Sequence, residues 1–287
     1  MNKIFASFLI GSMVFTACAQ EVKTNYKNTV LKENRKSMDN IIIEDYFDFE
    51  WKELNQRVTD YVSKLTPEQR VAQLIMPAMG RLGQPEEKIR AWVKEGKIGG
   101  ILMLNGTGEQ FGKWIEEFNQ FNIEEGRTPF HYSADAEPSL VNRKITGSTV
   151  VKKASEITTI EEVVEVAGTI SKDLNKIGIN YNFAPVSDMA ANGTVGYRGF
   201  GKEVKNIVPF SQAFIETSNK ANVLTSIKHF PGHGLVSGDT HKALQVINGE
   251  MKELSIFETL VKMNAPSVMV GHIAVTNNEK YDTKGLP

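Results

Sequence analysis

The stretch IEEVVEVAGTISKDLNKIGINYNFAPV, residues 160–186, carries two hydrophobic periods in succession. Val163, Val166, Ala167, Ile170, Leu174 and Ile177 recur at steps of three and four, so they share one face of a helix over Ile160 to Ile177. Ile179 to Val186 is then an apolar run too short for a helix and reads as a buried strand. Working outward, similar runs occupy Ile98 to Leu104, Phe130 to Ala134, Val223 to Ile227 and Ser267 to Ile273, with a second clear helical pattern at Leu254 to Met263. Strands alternating with helices predict an α/β protein with a parallel sheet and right-handed crossovers. The runs at Ile179, Val223 and Ser267 begin 44 residues apart, which favours repeated βα units around a barrel over an irregular open sheet. Periodicity alone leaves both open.

Upstream, Trp51, Leu54, Val58, Val62 and Leu65 form one apolar helix stripe. Thr66, Pro67 and Gln69 then supply an N-cap, a first-turn proline and a capping-box partner for the next helix. Residues 19–47 are polar and aperiodic, as a tether would be, and the folded domain is expected over 48–287. Met1-Asn2-Lys3 precedes an uncharged run from Ile4 to Ala17, too short to span about 30 Å of hydrocarbon, so residues 1–18 read as a signal peptide. Phe15-Thr16-Ala17-Cys18 resembles the bacterial lipobox, which implies export and a lipid on Cys18 that anchors the protein in the cell envelope. Cys18 is the single cysteine, which excludes a disulfide framework. With 33 Lys plus Arg against 34 Asp plus Glu, the net charge is -1 and no long-range field draws the chain to nucleic acid.

Polar side chains gather where the strands should end, which is where the loops of parallel α/β proteins converge on an active site. Asp135 and Glu137 follow the second run, Asp188 the third, and Lys228-His229 with the loop from His233 to His241 the fourth; His272 falls in the last. All the histidines except His131 belong to this set.

Lys228-His229-Phe230-Pro231-Gly232-His233-Gly234, continued by Asp239-Thr240-His241, resembles the signature of glycoside hydrolase family 3 in its β-N-acetylglucosaminidase branch. Asn182-Phe183-Ala184-Pro185-Val186-Ser187-Asp188, Arg198-Gly199-Phe200-Gly201, and Asp135-Ala136-Glu137 with Val141 and Arg143 resemble further motifs of that family, so the similarity covers residue 66 to the end. Two positions depart from the pattern: Pro138-Ser139 stands for a glycine pair, and Gly199 for a serine.

The resemblance implies a (β/α)8 barrel of the TIM type and a retaining exo-glycosidase that removes a terminal β-linked N-acetylglucosamine, with no cofactor and no metal. It assigns the sugar hydroxyls to Asp135, Arg198, Lys228 and His229, and general acid and base catalysis to His241 oriented by Asp239. Histidine suits that task, since its ordinary pKa of about 6.5 allows donation and return of a proton near neutrality. The nucleophile of the family is an aspartate after the seventh strand. Lys284-Gly285-Leu286-Pro287 resembles the segment just before that unit, so six of the eight strands are expected here and the nucleophile is unassigned. A β-glucosidase of the same family is the neighbouring reading. A metal hydrolase using His229, His233, Asp239 and His241, and a sugar-binding module without hydrolysis, are the readings from other classes.

Overall fold

The structure, a computed structural model, describes residue 43 and residues 51–286. The signal peptide and lipobox lie outside the described residues, as does all of the tether but Ile43. The chain divides into two compact units, residues 1–58 and 59–287. Helix α1 (Lys52–Ser63) holds the middle of the expected stripe, with Leu54 buried and Val58 and Val62 exposed, while Trp51 and Leu65 fall just outside it. Helix α2 (Pro67–Ala72) begins at the expected capping box: the Gln69 amide donates to Thr66 Oγ1 at 3.2 Å, and the Thr66 amide to Gln69 Oε1 at 2.9 Å.

The second unit then alternates. β1 (Ala78–Met79), α3 (Glu86–Lys94), β2 (Gly100–Met103), β3 (Gly106–Thr107), α4 (Gly108–Glu124), β4 (His131–Ala134), α5 (Val141–Lys144), β5 (Ile145–Thr146) and α6 (Ile160–Ile177) make up its first half. β6 (Tyr181–Asn182), α7 (Val204–Lys220), β7 (Leu224–Thr225), β8 (Ile227–Phe230), β9 (Gln245–Asn248), α8 (Leu254–Lys262), β10 (Val268–Val270) and β11 (Ile273–Thr276) make up the rest. β1, β2, β4, β6 and β7 lie side by side in chain order, all parallel. The chain passes through Ser226 directly from β7 into β8, which pairs in parallel with β10. The order therefore advances without the reversal that marks a doubly wound sheet. α4 packs on α6, α6 on α7 and α7 on α8, so the crossovers form a continuous helical layer.

The core lies between that layer and the sheet. Ile101, Met103, Tyr132 and Ala134 from the strands pack with Ile89, Phe111, Ile115, Val163, Ile170, Leu174, Ile207, Phe214, Phe257 and Leu260 from the helices. Full burial of side chains this size contributes about 1.5–3 kcal/mol each. α6 matches the sequence reading at both ends. Its stop is set by Gly178, at φ 85°, after which the Ile179 amide returns to the Leu174 carbonyl at 3.0 Å. A Cβ at Gly178 would come 2.7 Å from Ile115 Cγ2, so packing as well as backbone angle requires glycine there.

Three strand expectations change. The run Ile179 to Val186 forms regular ladder only at Tyr181–Asn182, because Pro185 has no amide to donate; Val186 then bridges to Lys228 outside the named strands. The next strand extends past Ile227 to Phe230, so Lys228 and His229 sit within it and not after it. Ser267 to Ile273 is not one strand: β10 ends at Val270, and Ile273 opens β11, which pairs with β9.

Candidate active site

Asp135 and Glu137 follow β4 directly, and Asn182 on β6 fixes the backbone between them. Its side chain accepts from the Ala136 amide at 3.0 Å and donates to the Ala136 carbonyl at 3.1 Å. Lys228, buried in β8, reaches Asp135 Oδ1 at 2.9 Å and Glu137 Oε1 at 2.5 Å. Arg198, from the short 3-10 turn Gly196–Arg198, grips Glu137 with two parallel hydrogen bonds of 2.8 and 2.7 Å. Lys144 adds a cation 3.5 Å from Asp135 Oδ2.

Burial pushes both carboxyls up, but the opposing charges win. Lys228, Lys144 and Arg198 hold Asp135 at about 2, and Lys228 with Arg198 holds Glu137 below its ordinary value. For Lys228 burial acts downward and is outweighed by Glu137 and Asp135, so it stays protonated. The Glu137 side chain is 0% exposed and that of Asp135 22%, so Glu137 is the strut and Asp135 the carboxylate with an open side.

Next to this network stands a second one around Asp188, which is wholly buried. It accepts from the His229 amide at 3.0 Å, from His229 Nδ1 at 2.6 Å and from the His233 amide at 2.8 Å. The carboxylate thereby fixes the His229 tautomer with its proton on Nδ1. The rings of His229 and His233 lie 5.5 Å apart, and His233 Nε2 contacts Thr240 Oγ1 at 3.2 Å. Burial, then the neighbouring His229, lowers the pKa of His233, which keeps it neutral.

Thr240 sits between the members of a third group. His241 Nδ1 and the His241 amide meet Asp239 Oδ1 at 2.8 and 2.9 Å. The amide and the ring together lower the pKa of Asp239. The His241 side chain is 81% exposed, and the dyad shares no hydrogen bond with the Asp135 network among the described residues. His272 is exposed in the turn between β10 and β11, outside all three groups. Among the described residues no three His, Cys, Asp or Glu side chains are gathered as metal ligands.

The two departures have structural explanations. Ser139 donates to the Tyr197 carbonyl at 2.7 Å and accepts from the Ala154 amide at 2.9 Å, tying the β4 loop to the turn that carries Arg198. At Gly199 a Cβ would lie 3.2 Å from the Asp188 carbonyl oxygen, a tight fit.

Residues 66–285 match the Glycosyl hydrolase family 3 N terminal domain. The chain belongs to glycoside hydrolase family 3. Within the family it is 30% identical over 224 residues to the beta-hexosaminidase LpqI of Mycobacterium tuberculosis, covering 74% of this chain and 56% of that protein. It is 25% identical to a beta-hexosaminidase of Xylella fastidiosa, over 65% of this chain and 60% of the other. Among solved structures, a family 3 β-N-acetylglucosaminidase from Paenibacillus sp. str. FPU-7 superposes with a TM-score of 0.66 at 28% identity, over 74% of this chain and 43% of that one. The chain thus spans somewhat over half the length of these curated relatives.

Glu137 and Asp188 stood in the sequence as polar residues at strand ends without a role; the partners that give them one lie 61 and 41 residues away. Glu253, which accepts three backbone amides beside the Asp188 group, had no signal at all.

Proposed function

We propose that the protein is an exo-acting retaining glycosidase that removes a terminal β-linked N-acetylglucosamine from a glycan or a peptidoglycan-derived fragment. The observation that carries this reading is the Lys228–Asp135–Glu137–Arg198 network at the ends of β4 and β8, beside a loop presenting the Asp239–His241 pair. Asp135 and Arg198 keep exposed atoms, Asp135 offers lone pairs, and His229 keeps Nε2 without a partner among the described residues. Such groups form charge-assisted hydrogen bonds to sugar hydroxyls. His241 protonates the glycosidic oxygen as the bond from it to the anomeric carbon breaks, and then takes a proton from the attacking water. Asp239 holds the ring through Nδ1 and leaves Nε2 to face the leaving group.

Retention needs a carboxylate that forms a glycosyl-enzyme intermediate. Asp135, Glu137, Asp188, Asp239 and Glu253 are all engaged by cations, imidazoles or amides, so the reading assigns the nucleophile to none of them. The unreversed parallel strand order supports placing these strands in a (β/α)8 barrel.

The protein expressed from its complete gene is expected to hydrolyse an aryl β-N-acetylglucosaminide with a kcat/KM at least an order of magnitude above that for the matching β-glucoside, because a site built to bind the acetamido group loses those bonds with glucose. The opposite ranking would make it a β-glucosidase. We further propose that Cys18 carries a lipid. Wild type should then sediment with membranes and Cys18→Ser should not; a wild-type protein found wholly in the soluble fraction refutes the anchor.

A further inference from the structure

Glu253 immediately precedes α8 and is 2% exposed. Its Oε1 accepts from the Met189 amide at 2.6 Å and the Gly234 amide at 3.2 Å, and its Oε2 from the Leu235 amide at 3.1 Å. No cationic side chain pairs with it among the described residues. A buried carboxylate held only by amides needs a reason beyond charge pairing.

The surroundings are shaped around it. A Cβ at Gly232 would lie 2.5 Å from Glu253 Cβ, and one at Gly234 would lie 1.7 Å from the Met189 carbonyl oxygen and 2.7 Å from Glu253 Oε1. Gly232 is thus required by the approach of Glu253 and by its own φ of 129°, and Gly234 first by the Met189 carbonyl and then by the carboxylate. The successive amides of His233, Gly234 and Leu235 are taken by Asp188 and Glu253, while Asn192 Nδ2 donates to the His233 and Val236 carbonyls at 2.6 and 2.9 Å. From Ser237 the loop emerges toward solvent, and Asp239 and His241 follow.

We propose that Glu253 is a positioning residue for the Asp239–His241 pair: its ionised carboxylate clamps Gly234 and Leu235 to Met189, giving the loop a fixed root from which its tip presents His241. This rests on the glycosidase reading. Clamping three amides requires the ionised form, since a protonated carboxyl gives up one oxygen to its hydrogen. The ionisable groups around Glu253 are Asp188, on the segment after β6, and His233, on the loop itself. Burial and then the Asp188 charge push Glu253 up to about 7, against the three amides, so the clamp fills as pH rises through neutrality.

The test uses the protein from its complete gene. In Glu253→Gln, amide hydrogen exchange at Gly234 and Leu235 should accelerate at least tenfold while β4 amides stay unchanged. Turnover of a natural glycoside should fall at least tenfold with KM within threefold, and turnover of a substrate with an activated phenol leaving group should fall much less. Unchanged exchange at both amides overturns the clamp, and equal losses on the two substrates overturn its service to His241. In unsubstituted protein at pH 8 the same amides, corrected for intrinsic rates, should exchange at least tenfold more slowly than those of residues 241–244 at the loop tip and no faster than at pH 6; protection equal to that of the tip overturns the proposal, even if Glu253→Gln does not fold. A wild type without glycosidase activity, but with the exchange changes intact, would instead overturn the functional reading on which the positioning role depends.

Discussion

Lys228→Met is expected to destabilise the protein by about 3–5 kcal/mol, the range for removing one partner from a buried ion pair. Lys228 Nζ touches two carboxylates, one fully buried, and a thioether brings neither charge nor a donor in its place. Glu137 would retain Arg198, but Asp135 would retain only Lys144 at 3.5 Å. The melting temperature should drop by roughly 6–20 °C for a domain of this size. Adding Asp135→Asn to Lys228→Met should recover part of the loss, since it removes the carboxylate left with only Lys144. A single variant melting within two degrees of wild type would show that the network does not stabilise the fold. The same network sets the acid limit. Asp135 is depressed from 3.8 to about 2, so its stabilisation is complete above pH 3.8 and lost as pH falls through 2. That loss is about 2 kcal/mol in scale, and it should be visible as a falling melting temperature between those values.

His241→Ala is expected to behave in the opposite way. The side chain is 81% exposed and its one partner is the neighbouring Asp239, so stability should change by less than about 0.5 kcal/mol. Activity on natural glycosides should fall about 100-fold to 10,000-fold, the usual worth of general acid catalysis. Substrates whose phenol leaves without protonation should lose far less. Comparable losses on both would remove His241 from the acid role.

How much was legible in the sequence depended on whether the deciding interaction is local. The boundaries of α6 were readable because its stripe, and the glycine that ends it, lie within one segment. The capping box at Thr66 is local in the same way. The strand after Ile179 was overestimated because apolar composition continues past the point where Pro185 interrupts the ladder. β9 gave no strand signal: Gln245 to Asn248 alternates only between half-buried and exposed positions, and its partner β11 lies 28 residues on. In the candidate site, the family motifs located Asp135, Arg198 and Lys228, which the structure joins through Glu137. Glu253, in the run Met251-Lys252-Glu253-Leu254, reads as an ordinary solvated acid at a helix start. Its burial follows from Met189, 64 residues earlier, and no local pattern encodes that.

The ion network belongs to the strands and the turn at Arg198, whereas the Asp239–His241 pair rides on the outer part of a loop that leaves the core after Val236. Mutations therefore meet two different constraints within one site. A change at Lys228 or Glu137 strands a buried charge, so the cradle proposed for the sugar is evolutionarily stiff. Residues 237–244 share no hydrogen bond or ion pair with that network among the described residues, so apart from Asp239 and His241 they can change without disturbing it. On the glycosidase reading proposed above, descendants of this chain could thus acquire new aglycone preferences by drift in the rest of the loop, while keeping the same terminal sugar.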